Sequence, residues 1–397
     1  MEVKAHVIDG MYNSLDDEVK GRVDEAIEKI VAAKKSGGKV VVVTGSGPNL
    51  HEGVTTLIAE LIHKGVVDGV STSSAVICHE MAGSLEKVKR FDGVEFGFAR
   101  EKLPLDGVFE VAIMPDDYLE QIKKEMVIDE DLLARMLVQP GNIIIKVAGN
   151  IAYPTGLRTE RLAREIESLA RANGFTLEEV AGLGADGYTM IGAGAAKGVP
   201  VVVSVPQLIG GGAVGLAIGD CVSLTERTRR LAKMLAGADL IIESALALSQ
   251  EIHDGPFELS TGHGIWADWQ GDWTYSLAEK TLIRIDLDPN LEFAWEQERK
   301  SGVVAEAIDK GLPKTKLTKV PFRMEMSGFA RLPGSIPIVG DIGEIWPIIA
   351  YRVATKLDIK LNFISYKQSL PEGQAMREWI VENVKPVDRD RIYSALG

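Results

Sequence analysis

The sequence predicts an α/β protein built on one doubly wound parallel sheet, and two observations lead to this fold class. Apolar β-branched runs such as residues 40–43 leave no polar face, which is typical of strands covered on both sides of a parallel sheet. Such runs alternate with segments whose apolar residues recur at helical spacing, as in residues 16–35. Repeated strand and helix units of this kind predict parallel strands joined by helical crossovers.

The predicted elements alternate along most of the chain. The helix over residues 16–35 ends at Gly37 and Gly38, before the first strand. Further helices are expected over residues 52–64, 73–88, 118–126, 129–137, 159–172 with Thr159 as its cap, 223–235 and 342–356. Strands are expected over residues 40–43, 68–72, 108–114, 200–205, 239–244, 282–287 and 336–339.

The domain organisation follows from this alternation. We expect residues 1–397 to form a single large α/β domain, in which residues 184–356 supply the second half of the sheet. Residues 90–175 contain acidic helical segments that interrupt the alternation. We therefore predict that this segment is an insertion or a lid.

Composition narrows the classes of partner and compartment. A formal net charge of −13 over 397 residues argues against nucleic acid or an anionic membrane as the main partner. The two cysteines are too few for a disulfide framework, which favours a reducing cytoplasm. The chain also lacks an apolar run near the roughly 20 residues that a membrane span needs. We expect a cytoplasmic protein with no membrane partner.

The turn after the first strand is the leading candidate for a ligand site. Residues 44–49, with the sequence TGSGPN, are small enough for backbone amides to approach a ligand closely. A strand, a glycine turn and a helix N-terminus together form a common phosphate site. The glycine spacing is not G-x-G-x-x-G, so a structural turn without any ligand is the alternative interpretation.

Two parts of the chain resemble known families. Residues 46–50 and 67–72, SGPNL and VDGVST, are similar to the first nucleotide-binding turn of deoxyhypusine synthase and the strand after it. Residues 75–80, AVICHE, resemble the archaeal ornithine cyclodeaminase group, known from its LOR/SDH domain. In the segment 184–299, GVPVVVSVPQLIGGGAVG is similar to deoxyhypusine synthase, and GADLIIESA with LIRIDLDPNLE resembles the cyclodeaminases.

The resemblance implies a Rossmann-like, deoxyhypusine synthase-like fold with NAD as cofactor. It also implies a homodimer or homotetramer that acts on a small amine or amino acid by transient oxidation to an imine, with deamination, cyclisation or aminoalkyl transfer as the outcome. The sequence departs from deoxyhypusine synthase at one important position, because Ser249 falls where that family carries its lysine. Serine cannot form an imine, so deoxyhypusine synthase activity itself is not expected. A nucleotide-binding regulatory or assembly protein without catalysis is the alternative.

The predicted cofactor contacts come from segments that follow strands, where the carboxyl edge of a parallel sheet binds ligands. Asp286 and Asp288, at the end of the strand over residues 282–287, are expected to bind ribose hydroxyls, although Asp288 could instead cap a turn before Pro289. The predicted contacts are Thr44, Gly45, Ser46, Gly47, Asn49, Ser73, Ser74, Gly210, Gly211, Gly212, Asp286 and Asp288.

The candidate catalytic and substrate residues are acids, histidines and a tryptophan near these strand ends. A histidine there can move a proton or orient a carboxylate, although a helix-start histidine with ordinary hydrogen bonds is the alternative. Acids around a pocket suit an amine, and solvated loop residues are the alternative for them. The tryptophan-rich segment 261–275 could hold a cation or form a subunit interface. No metal site is expected, because the histidines are scattered. The predicted catalytic residues are His79, Glu80, Glu243 and Glu251, and the substrate residues are His253, Asp254, Trp266 and Asp268.

Overall fold

In the part of the chain that the structure describes, the strands form two separate sheets. The computed structural model describes residues 1, 3–149, 151–203, 211–244, 280–286, 306, 310–311 and 334–397. Its strands are β1 Val40–Thr44, β2 Gly69–Thr72, β3 Leu85–Asp92, β4 Val108–Ile113, β5 Gly141–Val147, β6 Val201–Val203, β7 Leu240–Ser244, β8 Thr281–Asp286 and β9 Ile336–Val339. Six of them form a parallel sheet, and the other three form an antiparallel sheet.

The six-stranded sheet confirms the predicted parallel α/β fold. Its order is β6-β2-β1-β7-β8-β9, so that in chain order the strands lie third, second, first, fourth, fifth, sixth. This is the strand order of the Rossmann fold. The order reverses between β1 and β7, where Val40 pairs with Leu240 and Thr44 with Ser244. In open sheets of this kind, ligands bind at the carboxyl ends of the strands beside the reversal.

The helices surround both sheets. They are α1 Ala5–Ser14, α2 Asp17–Lys35, α3 Ser46–His51, α4 Val54–His63, α5 Ser74–Met81, α6 Gly93–Phe96, α7 Asp116–Glu125, α8 Glu130–Leu137, α9 Thr155–Asn173, α10 Leu177–Gly184, α11 Met190–Lys197, α12 Gly212–Cys221, α13 Leu224–Ala236, α14 Ile342–Lys356, α15 Pro371–Asn383 and α16 Arg389–Leu396. Among the described residues, none of these helices is long and apolar enough to cross a bilayer.

Apolar side chains cover the parallel sheet on both faces, as expected for a doubly wound sheet. On one face, Val40 and Val42 of β1 join the main core, to which α2, α4 and α14 contribute. On the other face, Val41 and Val43 pack with Leu231 and Leu235 of α13. Alternation along β1 therefore sends successive valines into two different cores.

The antiparallel sheet lies between β2 and β6 in the chain and has the order β4-β3-β5. An aromatic cluster of Phe91, Phe96, Phe98 and Phe109 packs against it, with ring centroids 4.8–5.8 Å apart. The predicted strand over residues 108–114 is present as β4, but it belongs to this second sheet. The insertion or lid over residues 90–175 stays a prediction.

Three predicted helix boundaries were wrong. The helix expected over residues 73–88 ends at Met81, because Gly83 and Ser84 adopt left-handed φ values of 96° and 67°, and β3 follows. Thr159 is not a cap, since it lies inside α9 and its hydroxyl donates to the Thr155 carbonyl at 2.9 Å. The turn predicted after β1 is the short helix α3, and left-handed Gly53 separates it from α4.

Candidate functional site at the carboxyl edge

The reversal of strand order brings the end of β1 beside the end of β7. Thr44 is the last residue of β1 and pairs with Ser244, the last residue of β7. Gly45 follows in extended conformation, and α3 begins at the next residue. The first helical turn, which includes Gly47, therefore starts directly at the edge where parallel α/β sheets bind ligands.

Asn49 ties this first turn to β7 and α14. Its side chain is fully buried, and its amide nitrogen donates to the carbonyl of Gly45. Its amide oxygen accepts a hydrogen bond of 2.7 Å from Ser244 Oγ, which in turn accepts one of 2.9 Å from Trp346 Nε1. Asn49 was predicted to contact a cofactor, but both of its polar side-chain atoms are bonded within the protein. Its evident role is to hold the turn in place.

Three hydroxyls at the same edge have no such bonds. Thr44, Ser71 and Thr72 are fully buried at the ends of β1 and β2, and within the described parts of the chain their Oγ atoms have no hydrogen-bond partner. A buried polar group without a partner costs about 1–3 kcal/mol. The carboxyl edge therefore retains unused hydrogen-bonding capacity at its centre.

His79 joins α5 to the segment after β5. Its Nδ1 atom is hydrogen-bonded to the carbonyl oxygen of Ala148. Burial lowers the pKa of His79 to about 4, so the imidazole is neutral at pH 7. Because a carbonyl only accepts, Nδ1 carries the proton and Nε2 is the acceptor atom. Ser73 caps the start of the same helix, where its hydroxyl accepts from the Val76 amide at 3.4 Å.

Glu80 is a helix cap in this structure. Its carboxylate is fully buried and accepts hydrogen bonds from the amides of Met190 at 2.8 Å and Ile191 at 3.1 Å, in the first turn of α11. Burial raises the pKa of Glu80 to about 7, and the two amide hydrogen bonds oppose that rise. The geometry gives this predicted catalytic acid a structural task.

Glu243 forms a buried ion pair with a residue that the sequence prediction missed. On the neighbouring strand β8, Arg284 lies beside it in register, and Nη1 is 3.3 Å from the Glu243 carboxylate. Both side chains are at most 3% exposed, on the face that α13 covers near Val43. The sequence did contain a signal for this pair, since each of the two apolar strands, LIIES and TLIRID, has a charged residue inside it. Buried charges occur almost only in pairs, so these two residues could have been matched.

The other predicted residues divide into two groups. Gly211 caps α12, Gly212 is its first residue with φ of 54°, and Asp286 ends β8. Ser46 begins α3, and Ser74 begins α5 and is buried. Outside the described residues lie Gly210, Ser249, Glu251, His253, Asp254, Trp266, Asp268 and Asp288.

Among known proteins, similarity to this chain was found in solved structures and not in family models or curated sequences. No family model and no curated protein sequence matches the chain. An apo arginine dihydrolase, ArgZ, from the ornithine-ammonia cycle in cyanobacteria overlaps with a TM-score of 0.41 at 12% identity, covering 86% of this chain and 32% of that one. A ternary complex of AgrE with ornithine and NAD+ gives a TM-score of 0.42 at 16% identity, covering 86% and 34%.

A third similar structure is a putative LOR/SDH protein from Methanococcus maripaludis S2. Its TM-score is 0.40 at 11% identity, covering 87% of this chain and 70% of that one. The chain spans about a third of the length of ArgZ and AgrE. These scores are too low to carry a functional argument. The resemblance of the sequence to deoxyhypusine synthase stays a prediction.

Proposed function

We propose that the protein binds NAD at the carboxyl edge between β1 and β7 and acts on an amine or amino acid by transient oxidation to an imine. The observation that carries the proposal is the set of buried hydroxyls, Thr44, Ser71 and Thr72, without hydrogen-bond partners among the described residues. Thr44 lies at the point where the Rossmann strand order reverses, and Ser71 and Thr72 lie on the adjacent strand β2. A polar ligand at this edge would use capacity that the described part of the chain leaves unused.

The residues at this edge fit the pyrophosphate of a dinucleotide, but they lack the acid that usually binds its ribose after the second strand. The start of α3, with Gly45 and Gly47, suits a pyrophosphate group, because backbone amides at a helix start favour anions. After β2, where many dinucleotide-binding folds have an acid for the ribose, this chain has Ser73. We therefore assign the ribose contacts to Asp286 and Asp288, as the sequence predicts.

When bound, NAD would supply the hydride acceptor that oxidation of an amine to an imine requires. The protein's own groups position the substrate and its protons. His79 offers Nε2 as a hydrogen-bond acceptor for a substrate ammonium, since its Nδ1 is engaged by Ala148. Glu243, the other predicted catalytic acid on this edge, is paired with Arg284 at 3.3 Å.

The binding test is calorimetric titration of the protein with NAD+. An alanine Cβ at Gly47 would meet only His51 Cδ2, at 4.0 Å, so Gly47→Ala fits the folded chain but intrudes where phosphate would bind. We expect Gly47→Ala to weaken NAD+ binding at least tenfold. The matched control is Gly21→Ala in α2, whose Cβ meets nothing within 4 Å and whose affinity should equal the wild type. Equal affinity in both variants would place the nucleotide elsewhere.

The catalytic part of the proposal has its own test. The protein is incubated with NAD+ and ornithine, spermidine or other amines, while ammonia and cyclised or deaminated products are followed. Turnover supports the enzyme, and binding of NAD+ without any turnover supports the regulatory or assembly alternative. A cytoplasmic homodimer or homotetramer also stays a prediction, and light scattering of the purified protein measures its assembly state.

A further inference from the structure

A cavity lies away from the carboxyl edge, between the antiparallel sheet and the C-terminal segment. Its volume is about 310 Å³, and its walls come from β3, β4, α7, the start of α9 and residues 381–388. It adjoins Ala82, directly after the end of α5, whereas the carboxyl edge adjoins Ser73 at the start of that helix. Its size suits a small organic molecule.

The distinctive group in the wall is Glu86 of β3. Its carboxylate accepts a hydrogen bond of 2.7 Å from the Thr155 hydroxyl and one of 3.3 Å from the Gly149 amide, and both donors are uncharged. Among the described residues, no lysine, arginine or histidine forms an ion pair with it. The nearby Lys146 is paired with Glu110 at 2.6 Å. Glu86 therefore brings a carboxyl group to the cavity without a cation to match it.

Much of the remaining wall is apolar, and its two lysines are already engaged. Ala82, Leu85, Ala112, Met114 and Val384 supply apolar surface. The two lysines in the wall have partners, since Lys87 pairs with Glu378 and Lys385 donates to the Glu382 carbonyl at 2.6 Å. Tyr118, also in the wall, lies against the guanidinium of Arg158, which is held by two hydrogen bonds to Glu125. The cavity thus offers an apolar wall and three carboxyl groups, those of Glu86, Asp117 and Asp388. Asp388 already accepts from the amides of Asp390 and Arg391.

We propose that this cavity binds a small primary ammonium compound, whose charged nitrogen pairs with the Glu86 carboxylate while its carbon chain packs on the apolar wall. Diamines and amino acids share this chemistry. A diamine needs only Glu86, whereas an amino acid would also draw its carboxylate to Lys87 or Lys385. The proposal does not depend on nucleotide binding, because none of the cavity residues belongs to the carboxyl edge.

Proton linkage provides a signature of this pairing. Burial raises the pKa of Glu86 to about 7, so part of the protein carries a neutral Glu86 at pH 7. A cation favours the ionised carboxylate, and its binding must therefore release protons under these conditions. The other titratable or charged groups around the cavity are Lys87, Glu110, Asp117, Tyr118, Lys146, Arg158, Lys385 and Asp388.

The test is calorimetry at pH 7 without nucleotide, using 1,4-diaminobutane, L-lysine and 1,4-butanediol in phosphate and in imidazole buffer, neither of which contains a primary ammonium group. We expect at least one amine to bind at millimolar concentration or below and to release protons, which the difference between the buffers measures. Butanediol has the same chain without the charge and should not bind. No binding of either amine, equal binding of the diol, or proton uptake on binding would overturn the proposal.

The variants localise the site. Glu86→Gln should weaken the amine at least tenfold and abolish proton release, because the amide can keep the bond to Thr155 but cannot carry the charge. Glu60→Gln is the control, since Glu60 is a buried glutamate of α4 outside the cavity. NAD+ affinity should be equal in both variants, which separates this site from the proposed cofactor site. Unchanged amine affinity in Glu86→Gln contradicts the proposal.

Discussion

Glu80 and Glu86 are six positions apart, and burial raises the pKa of both to about 7, yet their surroundings are opposite. Glu80 lies in a closed junction where two amides of α11 take its oxygens. Glu86 borders a cavity of about 310 Å³ and bonds to one hydroxyl and one amide. The difference teaches that a raised pKa alone does not identify a functional acid. Access to a cavity distinguishes the two.

The largest expected effect comes from deleting the two carboxylates. Glu80→Ala should lower the free energy of unfolding by about 3–5 kcal/mol, because it leaves two buried amides without acceptors and opens a void. Glu86→Ala should cost only about 1 kcal/mol, because water in the adjoining cavity can bond the Thr155 hydroxyl. Urea unfolding at pH 7 measures both. Equal losses would break the distinction between the closed junction and the open cavity.

The pH dependence of stability is the second test. The folded protein holds the Glu80 proton more tightly than the unfolded chain, because the pKa is raised from 4.5 to about 7. The stabilisation is therefore full below about pH 4.5 and is lost as the pH rises through 7. The free energy of unfolding of the wild type relative to Glu80→Gln should fall between pH 5 and pH 8, by about 3 kcal/mol at most.

The same comparison with Glu86→Gln sharpens the contrast. The free energy of unfolding of the wild type relative to Glu86→Gln should also fall as the pH rises. Ammonium binding in the cavity should reduce this fall, because it stabilises the ionised form of Glu86. Glu80→Gln should show no such response to added amine. Urea unfolding of the wild type and both variants at pH 5 and pH 8, with and without 1,4-diaminobutane, measures these differences. Parallel pH curves for wild type and variants would contradict the assigned pKa shifts.

The smallest effect extends the comparison to the hydroxyls of the carboxyl edge. Thr44→Val should leave the stability of the ligand-free protein unchanged or raise it by up to about 1 kcal/mol, because it removes a buried hydroxyl without a partner. It should nevertheless weaken NAD+ binding. Thr56→Val in α4 is the matched control, since the Thr56 hydroxyl is also buried without a partner among the described residues. Its NAD+ affinity should equal that of the wild type.

The parallel sheet was predictable because its signals are local. Short apolar or β-branched runs identified β1, β2, β6, β7, β8 and β9, and the helix predicted over residues 342–356 has the bounds of α14. The strand β3 was missed because its buried residues Leu85, Val88 and Phe91 recur at every third position, which is a helical spacing. The strand was recognisable only through its partners β4 and β5, which are distant in sequence.

The candidate site was only partly predictable for a similar reason. Glu80 and Asn49 stand beside predicted strand ends, so their residue types suggested chemistry, but their partners Met190, Ile191 and Ser244 come from distant segments. Glu86 lies in the charged segment LEKVKRFD, whose composition is typical of a solvent-exposed surface. A cavity formed by five separate parts of the chain leaves no pattern in any one of them.

The most direct test of the proposed function is a crystal structure of the protein grown with NAD+. We predict density for the pyrophosphate at the backbone of Gly45 and Gly47, with hydrogen bonds to at least one of Thr44, Ser71 and Thr72. Crystals grown with NAD+ that show no nucleotide at this edge, or a nucleotide bound elsewhere, would contradict the account.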